Sequence, residues 1–233
     1  MVLDFSIPGM VEIAMKEYVQ EIIKPGDMSG TAPMPAGNHL FSISTTSASY
    51  LNDLDAQHFH HIVAKLLFLC KRSRPEIQTT VAFITTRVKG PDLDDYKKLS
   101  CVIKYVRGTQ NISLKLCANC TDEISWWVDA SFSTHHDMRS HTGMVMMLGS
   151  GARYSTSIRL KIFIKSSTEA EIVGVNDTMG KVLWTHAFLE EQGHKVSRNI
   201  IFQDNKSAIL LAENGRGSAS KRTRHMDIRY FFK

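Results

Sequence analysis

Three acidic residues, Asp129, Glu171 and Asp204, occupy positions from which side chains can converge. Ile124, Trp126 and Val128 alternate with Ser125, Trp127 and Asp129, the period of a strand, so Asp129 lies at the middle or end of one. Glu171 falls in the first turn of a long helix expected from about Thr168 to Gln192. Asp204 follows a short strand, Asn199–Gln203, where another helix begins. In a layer of sheet and helices such ends converge on one sheet edge. Carboxylates within a few ångströms repel one another, and hard divalent cations with oxygen ligands, Mg2+ first among them, remove that cost. Two such ions roughly 4 Å apart activate a water and stabilise the leaving oxygen of a phosphodiester. Each acid also has an ordinary reading. Glu171 fits a capping box with Thr168, although Ser166 and Glu169 offer the same box earlier. Asp204 can cap the helix after it, and Asp129 can simply face water.

The elements that must hold these acids follow from hydrophobic period. Val2–Phe5 and Val11–Ala14 read as strands around Pro8-Gly9, with a helix at Met15–Ile23 and a loop from Gly26 to Asn38. Phe59, Ile62, Val63, Leu66 and Cys70 recur at helical spacing within 56–72, and Arg74-Pro75 stops that helix. Further helices are expected at about 76–88 and 93–106, the second ending before Gly108. The period changes near Leu114. After Ile124–Asp129, strands are expected at His141–Leu148 and Ala152–Ile164, then the long helix, the strand 199–203, a helix at 205–214 and the start of another at 225–233. The fold class is therefore α/β (α+β): a mixed sheet flanked by helices, preceded by a mostly helical half. The boundary is expected near residue 120, giving segments 1–120 and 121–233. Trp184, within the long helix, reads as core, and Trp126 and Trp127 must point to opposite faces.

Composition narrows the class little. Hydrophobic residues at 43% and charged residues at 22% are those of an ordinary globular protein. The net charge of +5 suits a polyanionic partner only weakly. No apolar run reaches the ~18 residues of a membrane span, and the first residues lack the pattern of a signal peptide. A cytoplasmic or nuclear, non-secreted location is expected. Cys117 and Cys120 form half of a zinc-type pair with no second half, and reduced thiols are the simpler reading.

The residues around the three acids resemble the ribonuclease H domain of Ty1/copia-type retrotransposons. Trp127-Val128-Asp129-Ala130-Ser131-Phe132, with Asp137-Met138-Arg139-Ser140-His141-Thr142-Gly143, is similar to that family's first two strands. Lys165-Ser166-Ser167-Thr168-Glu169-Ala170-Glu171 resembles its most recognisable motif, Asp204-Asn205-Lys206-Ser207-Ala208-Ile209 its third, and Arg222–Tyr230 a fourth. Leu3-Asp4-Phe5-Ser6, Pro8-Gly9 and the stretch from Leu66 through Pro75-Glu76-Ile77-Gln78 resemble segments that follow the polymerase palm. The resemblance implies that residues 1–120 are the end of a reverse transcriptase, its thumb or connection, and that 121–233 are a ribonuclease H-like domain truncated at its C-terminus. It implies Asp129, Glu171 and Asp204 as catalytic, metal-binding carboxylates for Mg2+ (or Mn2+), acting on the RNA strand of an RNA–DNA hybrid. Arg139, Lys165, Lys206, Lys221, Arg222 and Arg224 become candidate backbone contacts, each equally readable as a solvated charge. The upstream polymerase domains of the same polyprotein are a further expected partner, in the cytoplasm (within a virus-like particle) or nucleus.

Two departures leave activity open. The polymerase's Tyr-x-Asp-Asp metal motif is missing, Asp94-Asp95-Tyr96 having the wrong order. The fourth carboxylate of ribonuclease H domains is expected beyond the last family block. Asp227 is a poor substitute, two residues past His225 with no strand before it, and His225 itself reads as a surface or capping residue. A non-catalytic relic that binds duplex, or a structural module, is the alternative.

Overall fold

The computed structural model describes residues 1–24, 28–43 and 49–214. They form two compact units, residues 1–118 with 150–155, and 119–149 with the remainder from 156.

In the first unit, β1 (Val2–Asp4), β2 (Met10–Ala14) and β3 (Leu114–Cys117) form an antiparallel sheet in that order. β3 is a strand that the periodicity did not isolate: four residues carry too little alternation, and its pairing to β2, residue 12 opposite 115, spans a hundred positions. Beside them fold α1 (Lys16–Ile23), α2 (Asp53–Arg72), a 3-10 turn (Pro75–Ile77), α3 (Gln78–Thr85) and α4 (Leu93–Gly108). Asn52 caps α2 by accepting from the Asp55 N–H at 2.9 Å. The predicted stripe of Phe59, Ile62, Val63, Leu66 and Cys70 is buried, joined by Ile77, Val81, Ile84, Leu99, Val102, Ile103 and Val106. Asp92 and Asp95 close a capping box at the start of α4. With Arg87 holding Asp95 at 2.9 Å, the Asp94-Asp95-Tyr96 run is spent on helix structure.

The second unit contains most of a four-stranded mixed sheet with order β6-β5-β4-β7: β4 (Glu123–Ser131), β5 (His141–Leu148), β6 (Ala152–Arg159, of which residues 156–159 belong to this unit) and β7 (Arg198–Phe202). β4 runs antiparallel to β5 and parallel to β7. Two helices belong to it, α5 (Ser167–Glu191) and α6 (Lys206–Asn214). The class is the mixed α/β arrangement expected. One face of β4, carrying Ile124, Trp126 and Val128, packs with Met144 of β5 and Val182 of α5. Ala130 joins Leu160, Ile164, Ala170 and Val173 in a second cluster.

Two expectations need correction. β6 stops at Arg159 rather than Ile164. Leu160 and Ile164 turn inward from the following segment, so their apolar character serves a core under α5 rather than a longer strand. Trp184 is not core: it is 65% exposed and stacks on Phe188 one helical turn on, with ring centroids 5.0 Å apart. Among the described residues no helix is long and apolar enough to cross a membrane.

A candidate metal centre at the ends of two parallel strands

The pairing of β4 with β7 ends at Trp127 opposite Phe202. β4 continues to Ser131, while the chain after β7 turns away into α6. Strand pairing on that side of β4 thus stops at Trp127. The next acid on each path, two residues past the last pair, is Asp129 on β4 and Asp204 after β7. Across the sheet, Asp129 is paired with Gly143, and its carbonyl accepts from the Thr142 hydroxyl at 3.1 Å.

Glu171 arrives from α5. The competition between its capping and free readings is resolved one turn earlier. Ser166 is the N-cap and accepts from the Glu169 N–H at 3.2 Å, and the Glu169 carboxylate accepts from the Lys165 N–H at 2.8 Å. Glu169 therefore serves the helix start, and Glu171 is spared. At α6 the same division occurs: Asn205 accepts from the Ala208 N–H at 3.0 Å, so Asn205 caps and Asp204 does not. Gly174 lets α5 approach the sheet closely, because a Cβ there would stand 2.7 Å from the Thr142 hydroxyl and 3.6 Å from the Ala130 Cβ.

These placements bring one carboxylate oxygen from each of Asp129, Glu171 and Asp204 within 4.8 Å of one another. Asp129 and Asp204 are exposed, and Glu171 is buried at 6%. Burial is the main force pushing the Glu171 carboxyl above its usual range; a hydrogen bond from Gln203 opposes it, and the charges of Asp129 and Asp204 add to the rise. An all-oxygen set of three acids is the donor chemistry that a hard divalent ion satisfies.

The sequence marks Gln203 only as the last residue of an expected strand, yet its side chain bonds to two of the three acids, Glu171 and the backbone of Asp204. Its amide nitrogen donates to Glu171 Oε2 at 3.0 Å, and its amide oxygen accepts from the N–H groups of Asp204 and Asn205 at 2.8 and 3.0 Å. No periodicity marks such a residue; its position immediately before a candidate ligand was the one available signal.

The basic candidates separate. Lys165, two residues before α5, and Lys206, the first residue of α6, are exposed; Glu171 lies on α5 and Asp204 just before α6. Arg139 is engaged elsewhere: its Nε lies 3.4 Å from Asp137, and its guanidinium sits over Phe163. Lys221, Arg222 and Arg224 lie outside the described residues, as do His225 and Asp227. Trp126 is core, its indole N–H donating to Asn199 at 3.0 Å. Trp127 is 42% exposed and stacks on Phe202 across β4 and β7 at 4.9 Å. Cys117 and Cys120 are free thiols, and among the described residues the acid trio is the one group with metal-ligand spacing.

No protein-family profile matches the chain, and no solved structure matches it. The chain is 25% identical over 225 residues to the retrovirus-related Pol polyprotein from transposon TNT 1-94 of Nicotiana tabacum, covering 94% of this chain and 17% of that protein. It is 25% identical over 232 residues to the retrovirus-related Pol polyprotein from transposon RE1 of Arabidopsis thaliana, covering 97% of this chain and 15% of that protein. The putative transposon Ty5-1 protein of Saccharomyces cerevisiae is 24% identical over 183 residues, covering 76% of this chain and 58% of that protein. The chain thus spans about a sixth of the length of the two plant polyproteins. Similarity of that extent, along nearly the whole chain, supports reading it as a fragment of a retrotransposon polyprotein, similar to a stretch of the retrovirus-related Pol polyproteins of transposons.

Proposed function

We propose that the second unit is a ribonuclease H-type endonuclease that hydrolyses the RNA strand of RNA–DNA hybrids, and that the first unit is the C-terminal part of the preceding reverse transcriptase. The convergence of Asp129, Glu171 and Asp204 within 4.8 Å carries this reading. The three acids would hold Mg2+ or Mn2+. Divalent ions held there would supply a nucleophilic water and charge stabilisation at the leaving oxygen.

The chain's own residues do the rest. Asp129 and Asp204 present exposed oxygens at the end of the β4–β7 pair, where a phosphodiester can approach. Buried Glu171 sits behind them and anchors the cluster to α5. Lys165 and Lys206 offer charge to backbone phosphates, and such contacts position a duplex without reading its sequence. Hydrolysis forms a bond from water oxygen to phosphorus and breaks the bond from phosphorus to the 3′ oxygen. A 3′-hydroxyl and a 5′-phosphate result. Discrimination for RNA rests on the 2′-hydroxyl and the A-like form of the hybrid.

The test is cleavage of an end-labelled RNA–DNA hybrid by the purified chain in Mg2+ or Mn2+. The RNA strand should be cut, DNA duplex spared, and Asp129→Asn should lower the rate at least a hundredfold. An intact RNA strand with pure protein in both metals would remove the catalytic reading. Among the described residues the trio has no fourth carboxylate within metal-ligand spacing, and that observation favours a second reading, a duplex-binding module without turnover. Salt-sensitive hybrid binding with no cleavage would select it.

A further inference from the structure

The acid cluster contains a neutral group whose hydrogen bonds run to two of its three members. Gln203 lies between β7 and α6 and is partly buried. Its amide nitrogen donates to Glu171 Oε2 at 3.0 Å and lies 3.5 Å from the Val128 carbonyl on β4. Its amide oxygen receives both the Asp204 N–H, at 2.8 Å, and the Asn205 N–H, at 3.0 Å. One side chain therefore ties together the three elements that supply the acids: strand β4, helix α5 and the turn into α6.

The chemistry of an amide suits this place. A carboxylate near two other carboxylates gains from donors that carry no charge of their own: the Gln203 amide, with the Ala130 backbone N–H, holds Glu171 while its remaining lone pairs stay available to a cation. A lysine or arginine there would neutralise the cluster and compete with a metal. The amide oxygen fixes the backbone of Asp204, whose own side chain makes no cap because Asn205 has taken that role. Without Gln203 the turn after β7 would lose both of these N–H bonds, and Glu171 would face Asp129 and Asp204 without a side-chain donor to hold it.

We propose that Gln203 is a positioning residue for the metal centre, orienting the Glu171 carboxylate and the Asp204 backbone so that the three acids meet before a cation arrives. This rests on the metal-binding reading of the trio. Partners of ligating side chains typically govern affinity ten- to a hundredfold.

The experiment measures Mn2+ binding by electron paramagnetic resonance and amide exchange of the metal-free full chain, in wild type, Asp129→Asn and Gln203→Met. Wild type should bind Mn2+ at a site that Asp129→Asn eliminates. Gln203→Met should weaken that binding about tenfold or more. It should also speed exchange at the Asp204 and Asn205 amides while leaving exchange in the centre of β4 unchanged, which a general loss of structure would not do. If Gln203→Met does not fold, Gln203→Asn, which keeps the amide but shortens its reach by one methylene, carries the same expectations. Unchanged Mn2+ affinity in the variant, beside Asp129-dependent binding in wild type, overturns the role of Gln203 alone. No Asp129-dependent binding in wild type overturns the metal centre, and the role of Gln203 falls with it.

Discussion

Among individual side chains, a buried polar pair in the second unit has a sharp pH consequence. His135 and His141 lie 3.0 Å apart, Nε2 to Nδ1, and the other ring nitrogen of His141 is 2.6 Å from the Ser157 hydroxyl. Both rings are 7% exposed. Burial, then the neighbouring His135, pushes His141 down to about 4 from an ordinary 6.5; His135 is lowered too, by burial and by Arg159. Each ring is therefore neutral in the folded protein across a range where the unfolded chain takes up a proton. Since the unfolded state binds more protons between pH 6.5 and about 4, stability is complete above 6.5 and falls as pH drops through that window. His141 alone should remove on the order of 2–3 kcal/mol by pH 4. Urea unfolding of the wild type at about pH 7.5 and about pH 4.5 should show the loss, and His141→Gln should flatten it. An equal slope in the two proteins would exclude His141 as the source.

Where helix meets sheet, the distance between α5 and β4 decides whether Glu171 reaches Asp129. Gly174 permits that distance, and the Thr142 hydroxyl opposite it is the same group that holds the Asp129 carbonyl. Gly174→Ala forces α5 outward or displaces Thr142 and should cost about 1–3 kcal/mol, with Mn2+ binding weakened in step. Gly180 lies further along the same helix, and a methyl group added there would meet nothing within 4 Å. Gly180→Ala should therefore stabilise by about 0.5–1 kcal/mol through helix propensity alone. Thermal melts of the two variants should move in opposite directions; a shared direction would mean that Gly174 is not a packing constraint.

For the chain in its entirety, the relevant quantity is charge. A net +5 is modest, and several basic residues are already paired within the fold, Arg87 with Asp95 and Arg74 with Glu76 among them. Among the described residues Lys165 and Lys206 are the candidates beside the acids, so hybrid binding on the proposed reading is expected to use few phosphate contacts. The logarithm of affinity should fall with the logarithm of salt with a slope of roughly −2 to −4, since each contact contributes about −0.9. Lys165→Ala and Lys206→Ala should each lower that slope by about one and weaken all duplex sequences alike. A salt-independent affinity would point to a non-electrostatic mode instead.

The periodicity of Phe59 to Cys70, the breaker Arg74-Pro75 and the alternation around Trp126 are local properties, and they foretold α2, its end and β4 because those depend on neighbours a few residues away. The three acids were likewise visible as types at element ends. Which of two glutamates caps α5, which of Asp204 and Asn205 caps α6, and that Trp184 faces solvent depend on what packs nearby in space, so the linear chain left them open or misled. The same holds for β3, whose partner strand lies a hundred residues away, and for Gln203, whose bond to Glu171 crosses 32 positions. Amino-acid order specified the chemical groups available; the register of β4 against β7 and the close approach of α5 determined that three of them come within 4.8 Å, because carboxylates gather only where the backbone ends of separate elements are held together by packing.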